Sequence, residues 1–260
     1  MSPSYLSLPD RSAKPRRAGL TMVIDNGLPL SYFVDAVSSA AAHIDAVKFG
    51  WGTCLVTDTL DRKIDCLRDQ GIRFWFGGTL FEKFVVQHRF ESFLELCRHW
   101  RASTVEVSNG TIPLTNSAKA AYIRTCAREF DVVSEVGFKD AGRSERLSSS
   151  NWVDSIGEDL EAGSSLVIAE ARENGRSGTC RPDGTLRAEL LDDILDSGID
   201  ADRLLFEAPT KDLQTQFVTR LGANANLGNI AVGEVIGLET LRLGLRADTL
   251  LHFETVAAYA

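Results

Sequence analysis

Seven ionisable residues recur along this chain in one setting. Asp25, Lys48, Glu106, Glu135, Lys139, Glu170 and Glu207 each stand at, or just past, the polar end of a short apolar run. The runs cover residues 20–24, 46–47, 72–76, 105, 132–133, 166–169 and 204–206, with a weak eighth at 225–227. Carboxylates and ammonium groups collected in one pocket can exchange protons and hold charged reactants. Such a density of charge is more than a scaffold needs, so the elements carrying these residues must bring them together.

Those elements read as strand and helix in strict alternation. Phe33, Val37 and Ala41 recur at helical spacing after the first run; Leu60, Ile64 and Leu67 follow the second. A third helix is expected over 84–100 and a fourth over 116–130. Trp152, Ile156 and Leu160 mark another, and Leu213, Phe217 and Leu221 one more. The pattern predicts an α/β fold, a (β/α)8 TIM barrel in a single domain, with its chemistry at the carboxyl ends of the strands. A chain of 260 residues suits that fold, which needs about 250. The barrel is expected over 19–260, preceded by a basic tail over 1–18. Two readings of the tail stay open: a solvated segment, or Lys14-Pro15-Arg16 folded back onto a barrel end. Polar loops at 140–150 and 172–185 follow strands and are either lids or plain surface loops.

Composition narrows the function. A net charge of −8 excludes the basic stripe of a nucleic-acid surface. No apolar run approaches the roughly 18 residues that span a bilayer. The five cysteines are odd in number and free of any C-x-x-C pair, which points to a reducing, cytoplasmic setting. His43, His88, His99 and His252 lack metal-ligand spacing, and no G-x-S-x-G motif supports a serine nucleophile.

The rim segments carry a family resemblance as a set. Lys14-Pro15-Arg16, Gly19-Leu20-Thr21-Met22-Val23-Ile24-Asp25, Lys48-Phe49-Gly50-Trp51-Gly52-Thr53 and Gly77-Gly78-Thr79-Leu80-Phe81-Glu82 open it. Glu106-Val107-Ser108-Asn109-Gly110-Thr111, Ser134-Glu135-Val136-Gly137-Phe138-Lys139-Asp140, Glu170-Ala171-Arg172, Phe206-Glu207-Ala208-Pro209 and Asn226-Leu227-Gly228-Asn229-Ile230 continue it. Together they resemble the phosphosulfolactate synthase family from about residue 14 to residue 250. Asn174, where Ser is expected, and Cys180 depart from the pattern in a loop after the sixth run.

The resemblance implies a carbon–sulfur lyase that adds sulfite to phosphoenolpyruvate with Mg²⁺, giving (2R)-phospho-3-sulfolactate. It also implies a homo-oligomer, a trimer being one form of it. The expected partners are these small anions, with no nucleic acid and no membrane. Such chemistry leaves negative charge on carbon 2 and then needs a proton there, so it calls for a dication, cationic groups and a positioned acid. Mg²⁺ takes one or two carboxylates, here expected from Glu106, Glu135, Glu170 and Glu207. Lys139 is the expected proton donor, with Lys48 and Glu135 completing the catalytic set. Arg172 and Arg176 are expected to clamp an anion. The segment Asn226, Gly228 and Asn229 is expected as a loop whose backbone amides face phosphate, with Lys14, Arg16 and Asp25 completing the substrate contacts. Two other readings remain at this point: a barrel adding another nucleophile to an enol phosphate, and a catalytically silent, stress-related relative. The second would be marked by lost rim charges.

Overall fold

A computed structural model describes residues 5–172 and 174–254. Its strands are β1 (Thr21–Asp25), β2 (Ala46–Phe49), β3 (Arg73–Phe76), β4 (Thr104–Ser108), β5 (Asp131–Val136), β6 (Leu166–Ala169), β7 (Leu204–Glu207) and β8 (Leu227–Ala231). The helices are α1 (Leu30–Ala40), α2 (Leu60–Asp69), α3 (Gly78–Val86), α4 (Phe90–His99), α5 (Asn116–Cys126), α6 (Ala141–Glu145), α7 (Ser149–Ala162), α8 (Ala188–Asp196), α9 (Lys211–Leu221) and α10 (Val235–Arg242). All eight strands are parallel, in the ladder order β3-β2-β1-β8-β7-β6-β5-β4. This is the expected (β/α)8 barrel. Its ladder has two ends, and they lie side by side at β3 and β4.

Strand side chains alternate between two sides, and the buried apolar residues divide accordingly. Met22, Ala46, Trp75, Val133, Ile168 and Leu205 belong to a cluster inside the barrel. Val23, Val47, Phe74, Val132, Val167 and Leu204 face the helices in a second, larger one. Two details differ from the sequence reading. The helix expected over 84–100 is interrupted: Gln87-His88-Arg89 separates α3 from α4, with His88 at φ 56°. The segment 226–230, expected as a loop, is largely β8 itself. Asn and Gly disfavour strands, so the ladder to β1 and β7 rather than local preference makes it one.

The tail, from Asp10 on, folds back. Arg11 pairs with Glu239 of α10 at 2.8 Å and donates to the Ala223 carbonyl. Arg16 meets Asp45 just before β2 at 3.1 Å, and Lys14 donates to the Ala41 carbonyl. All of these partners lie at the amino ends of strands. Residues 1–4 and 255–260 of the expected tail and barrel fall outside the described residues. The five cysteines are all free, and no described helix is long and apolar enough to cross a membrane.

Asp25 closes β1 but points away from the barrel axis. It follows Ile24, which faces inward, and successive strand residues alternate. Its carboxylate accepts from the Gly27 and Leu28 amides and from Lys63 of α2, at 2.6 Å. The Lys63 side chain is wholly buried. Lys63→Met should therefore strand a buried carboxylate and cost about 3–5 kcal/mol, whereas the double change with Asp25→Asn should recover most of the loss. Urea unfolding midpoints of the two variants read this directly.

Candidate active site

The alternation that turns Asp25 outward turns five charged residues inward. Lys48 comes two residues after Ala46, Glu135 two after Val133, Glu170 two after Ile168, and Glu207 two after Leu205. Glu106 likewise follows Thr104 on β4. Each apolar residue fills the barrel, and the charged residue above it reaches the mouth. There they line one pocket with Lys139, Arg172, Ile24, Asn229 and the glycine-bearing turns after β2 and β3. Counting the open space at its mouth, the pocket spans about 360 Å³.

Lys48 Nζ lies 3.1 Å from Glu207, 3.8 Å from Glu106 and 3.9 Å from Glu135. Burial alone would push its pKa down, but Glu106, Glu207 and Glu135 outweigh burial and raise it above an ordinary lysine's. Lys139, on the turn after β5, sits 2.8 Å from Glu135 and 2.7 Å from Glu170. Burial opposes its charge too, and Glu135, Glu170 and Glu207 together hold its pKa well above the usual lysine range.

The carboxylates split in the opposite sense. Burial would raise Glu135, yet Lys139 and Lys48 draw it well below the ordinary range. Glu170 is pushed well above that range by burial and by Glu135 and Glu207, with Lys139 a partial counterweight. Glu106 is raised by burial, with Lys48 opposing and Glu135 adding to the rise. Glu135, Glu170 and Glu207 each bring a carboxylate oxygen within 4.8 Å of the other two. These three could hold a cation. Glu106 stands apart from that trio, because Trp75 Nε1 (2.7 Å) and the Gly78 amide (2.5 Å) already occupy its two oxygens. Both donors belong to the β3 side, so the Glu106 side chain spans the place where the strand ladder ends.

Other expected contacts lie elsewhere. Lys14 and Arg16 sit at the amino face, at the opposite end of the strands from the pocket, and Asp25 is turned to α2. Asn226 also works at the amino end: its amide accepts from Leu20 and donates to the Asp202 and Leu204 carbonyls. Gly228 serves packing, since a β-carbon there would come within 2.3 Å of Leu205 and 2.7 Å of Met22. The exposed Arg176 is absent from the pocket wall, whereas Arg172 is on it and donates to the Lys139 carbonyl. The loops at 140–150 and 172–185 are tied together: Ser144 Oγ accepts from the Gly178 amide, and Arg187 donates to the Ser144 and Leu147 carbonyls.

The family model described as (2R)-phospho-3-sulfolactate synthase (ComA) matches residues 9–248. The chain belongs to the phosphosulfolactate synthase family. It is 51% identical over 249 residues to the phosphosulfolactate synthase of Bacillus subtilis (strain 168), covering 96% of this chain and 99% of that protein. The phosphosulfolactate synthase of Methanothermobacter thermautotrophicus is 38% identical over 246 residues, 93% of this chain and 95% of that one. Among solved structures, thiamine phosphate pyrophosphorylase from Pyrococcus furiosus superposes with a TM-score of 0.54 at 11% identity, over 92% of this chain and 98% of that one. That likeness shows the barrel fold alone.

Several groups behind this family's pocket escaped the sequence reading. Ser108 Oγ lies 2.7 Å from Glu82 and 3.0 Å from Glu135, so a helix carboxylate and a rim carboxylate share one hydroxyl. Lys119 of α5, buried, donates to the Glu135 carbonyl at 2.6 Å and to Asp159 of α7 at 2.5 Å. Ser108 was findable by counting two residues on from Glu106. Lys119 had no signal, for it sits in an ordinary amphipathic helix. The seam geometry gives a test. Glu106→Ala should orphan two buried donors and cost about 2–4 kcal/mol of stability, and Glu106→Gln, which keeps an acceptor, should cost less; thermal or urea unfolding measures both.

Proposed function

We propose that this chain adds sulfite to phosphoenolpyruvate to form phosphosulfolactate, with Mg²⁺ as cofactor. One observation carries the proposal. Four buried carboxylates, Glu106, Glu135, Glu170 and Glu207, face the buried Lys48 and the half-buried Lys139 across one small pocket, with the exposed Arg172 on its wall. With every group ionised the carboxylates exceed the lysines by two charges and Arg172 offsets one, so the pocket stays net negative, which a dication would relieve. The cluster of Glu135, Glu170 and Glu207 suits Mg²⁺, a hard cation that takes carboxylate oxygens. Bound there, it would neutralise carboxylate oxygens of the substrate where negative charge builds up.

The residues of the chain account for the rest. Sulfite sulfur gives its lone pair to carbon 3, forming the carbon–sulfur bond. The former double-bond pair moves to carbon 2 and into the adjoining carboxylate. Lys139, held charged by Glu135 and Glu170, then gives its proton to carbon 2 and regains one from water. Lys48 places a fixed positive charge at the pocket floor, which favours gathering two anions in one site. The rim charges whose loss would mark a silent relative are present, which favours catalysis.

Incubating the protein with phosphoenolpyruvate, sulfite and Mg²⁺ should yield the sulfonate product by mass spectrometry, and omission of Mg²⁺ should abolish it. Lys139→Met should lower kcat by about 10²–10⁴-fold, the usual worth of a positioned acid, measured on the folded fraction, since the change also takes a partner from the buried Glu135 and Glu170.

Metal dependence also has a pH sign. The folded pKa of Glu170 lies above its unfolded value, so its contribution to stability is full at low pH and fades as pH rises through the folded value. A dication taking the place of that proton should reverse the trend. The rise in Tm produced by Mg²⁺ should be larger at about pH 8 than at about pH 6, as read by differential scanning calorimetry.

A further inference from the structure

Behind the pocket lies a further buried carboxylate, Glu82, that the reaction proposed above does not use. It rises from α3, is only 2% exposed, and enters none of the ion pairs among the described residues. Its partners are the Ser108 hydroxyl, 2.7 Å from Oε1, and the Thr111 amide, 3.2 Å from Oε2. The fold is shaped for this contact. α3 can press onto β4 because Gly78 lacks a side chain, since a β-carbon there would come within 2.5 Å of that of Ser108.

Ser108 Oγ stands between two carboxylates with a single hydrogen to give. Glu82 Oε1 lies 2.7 Å from it and Glu135 Oε1 3.0 Å, both within hydrogen-bond reach. A serine hydroxyl donates once and accepts through two lone pairs, whereas an ionised carboxylate only accepts. With both carboxylates ionised, one of the two contacts would set lone pair against lone pair. One added hydrogen removes the conflict. Placed on Glu82, it is given to Ser108 Oγ, which also accepts from the Gly110 amide at 3.2 Å and passes its own hydrogen to Glu135. Placing it on Glu135 instead is opposed by Lys139 at 2.8 Å and Lys48 at 3.9 Å, which favour a charged Glu135. Glu82 has no such cation beside it, and a carboxylate buried without one gives up its charge.

We propose that Glu82 is a neutral carboxylic acid that directs a hydrogen-bond chain through Ser108 to Glu135, and that this chain positions Glu135 for the dication. The positioning rests on the Mg²⁺ site proposed above. Neither Glu82 nor Ser108 lines the pocket, so both act through Glu135. Two donors on Glu135 Oε1, Ser108 and Lys139, hold the carboxylate in one orientation, as hydrogen bonds behind a metal ligand do. A neutral Glu82 also spares the site a fifth negative charge.

The infrared spectrum of the wild type minus that of Glu82→Gln tests the neutral acid, at neutral pH where an exposed glutamate is ionised. Glu106 and Glu170 give carboxyl bands of the same kind, and the subtraction removes them. The difference should show the carbonyl band of a protonated carboxyl. Bands of an ionised carboxylate in its place would overturn the assignment. Mg²⁺ titrated by calorimetry tests the positioning. Ser108→Ala should weaken Mg²⁺ binding about 10–100-fold, and Glu82→Gln, whose amide still donates to Ser108, should weaken it far less. Unchanged affinity in Ser108→Ala, or an equal loss in Glu82→Gln, would overturn the positioning. If the wild type takes up no Mg²⁺, the metal site fails and the positioning with it, while the infrared band still decides the state of Glu82.

Discussion

Burying four carboxylates within reach of one another is possible only because two lysines, the buried Lys48 and the half-buried Lys139, stand among them. An isolated carboxylate taken out of water gives up its charge, and a group of them repel as well. Lys48 at the pocket floor and Lys139 at its edge offset part of that cost. The compensation is incomplete, and the incompleteness is informative. Glu135, within 4 Å of both ammonium groups, is held in its charged form, while Glu170 and Glu106 are pushed towards the protonated form. A mouth built this way is left with a negative charge that the cation proposed above would offset.

The wall that presents these groups depends on two registers. One is the strand period of two, which puts an aliphatic residue in the barrel and a charged one directly above it. The other is a shift in the ladder between β1 and β8, where Thr21 pairs with Leu227 but Val23 with Ile230, and Asn229 within it, at φ 55°, joins the pocket wall. Second-layer groups fix the result. Lys119 holds the Glu135 backbone from behind, Ser108 joins Glu135 to Glu82, and the amides of Ala171 and Arg172 hold Glu207. Rigid support of this kind keeps charged side chains from relaxing into one another.

Most of the barrel was legible in the chain because each strand is a short apolar run and each helix repeats its apolar face. Lys48, Glu106, Glu135, Lys139, Glu170 and Glu207 were legible as rim groups for the same reason. Asp25 misled because it ends its strand like the others but falls one residue out of phase, so its partner is Lys63 on a helix. Asn226, Gly228 and Asn229 misled as a loop because their strand has weak local preference and exists through its neighbours. Lys14 and Arg16 carried the right charge for anions, yet the Ala41 carbonyl and Asp45 that they meet lie at the other end of the barrel. Which side of a strand a residue faces could be counted from sequence; which end a distant segment folds against could not.

The ring of main-chain hydrogen bonds stops between β3 and β4, and there the Glu106 carboxylate grips Trp75 and the Gly78 amide instead. A cylinder closed at one joint by an ionisable side chain is not mechanically independent of what enters it. Lys48 lies 3.8 Å from that same carboxylate, so the charge at the mouth bears on the joint between the two edge strands.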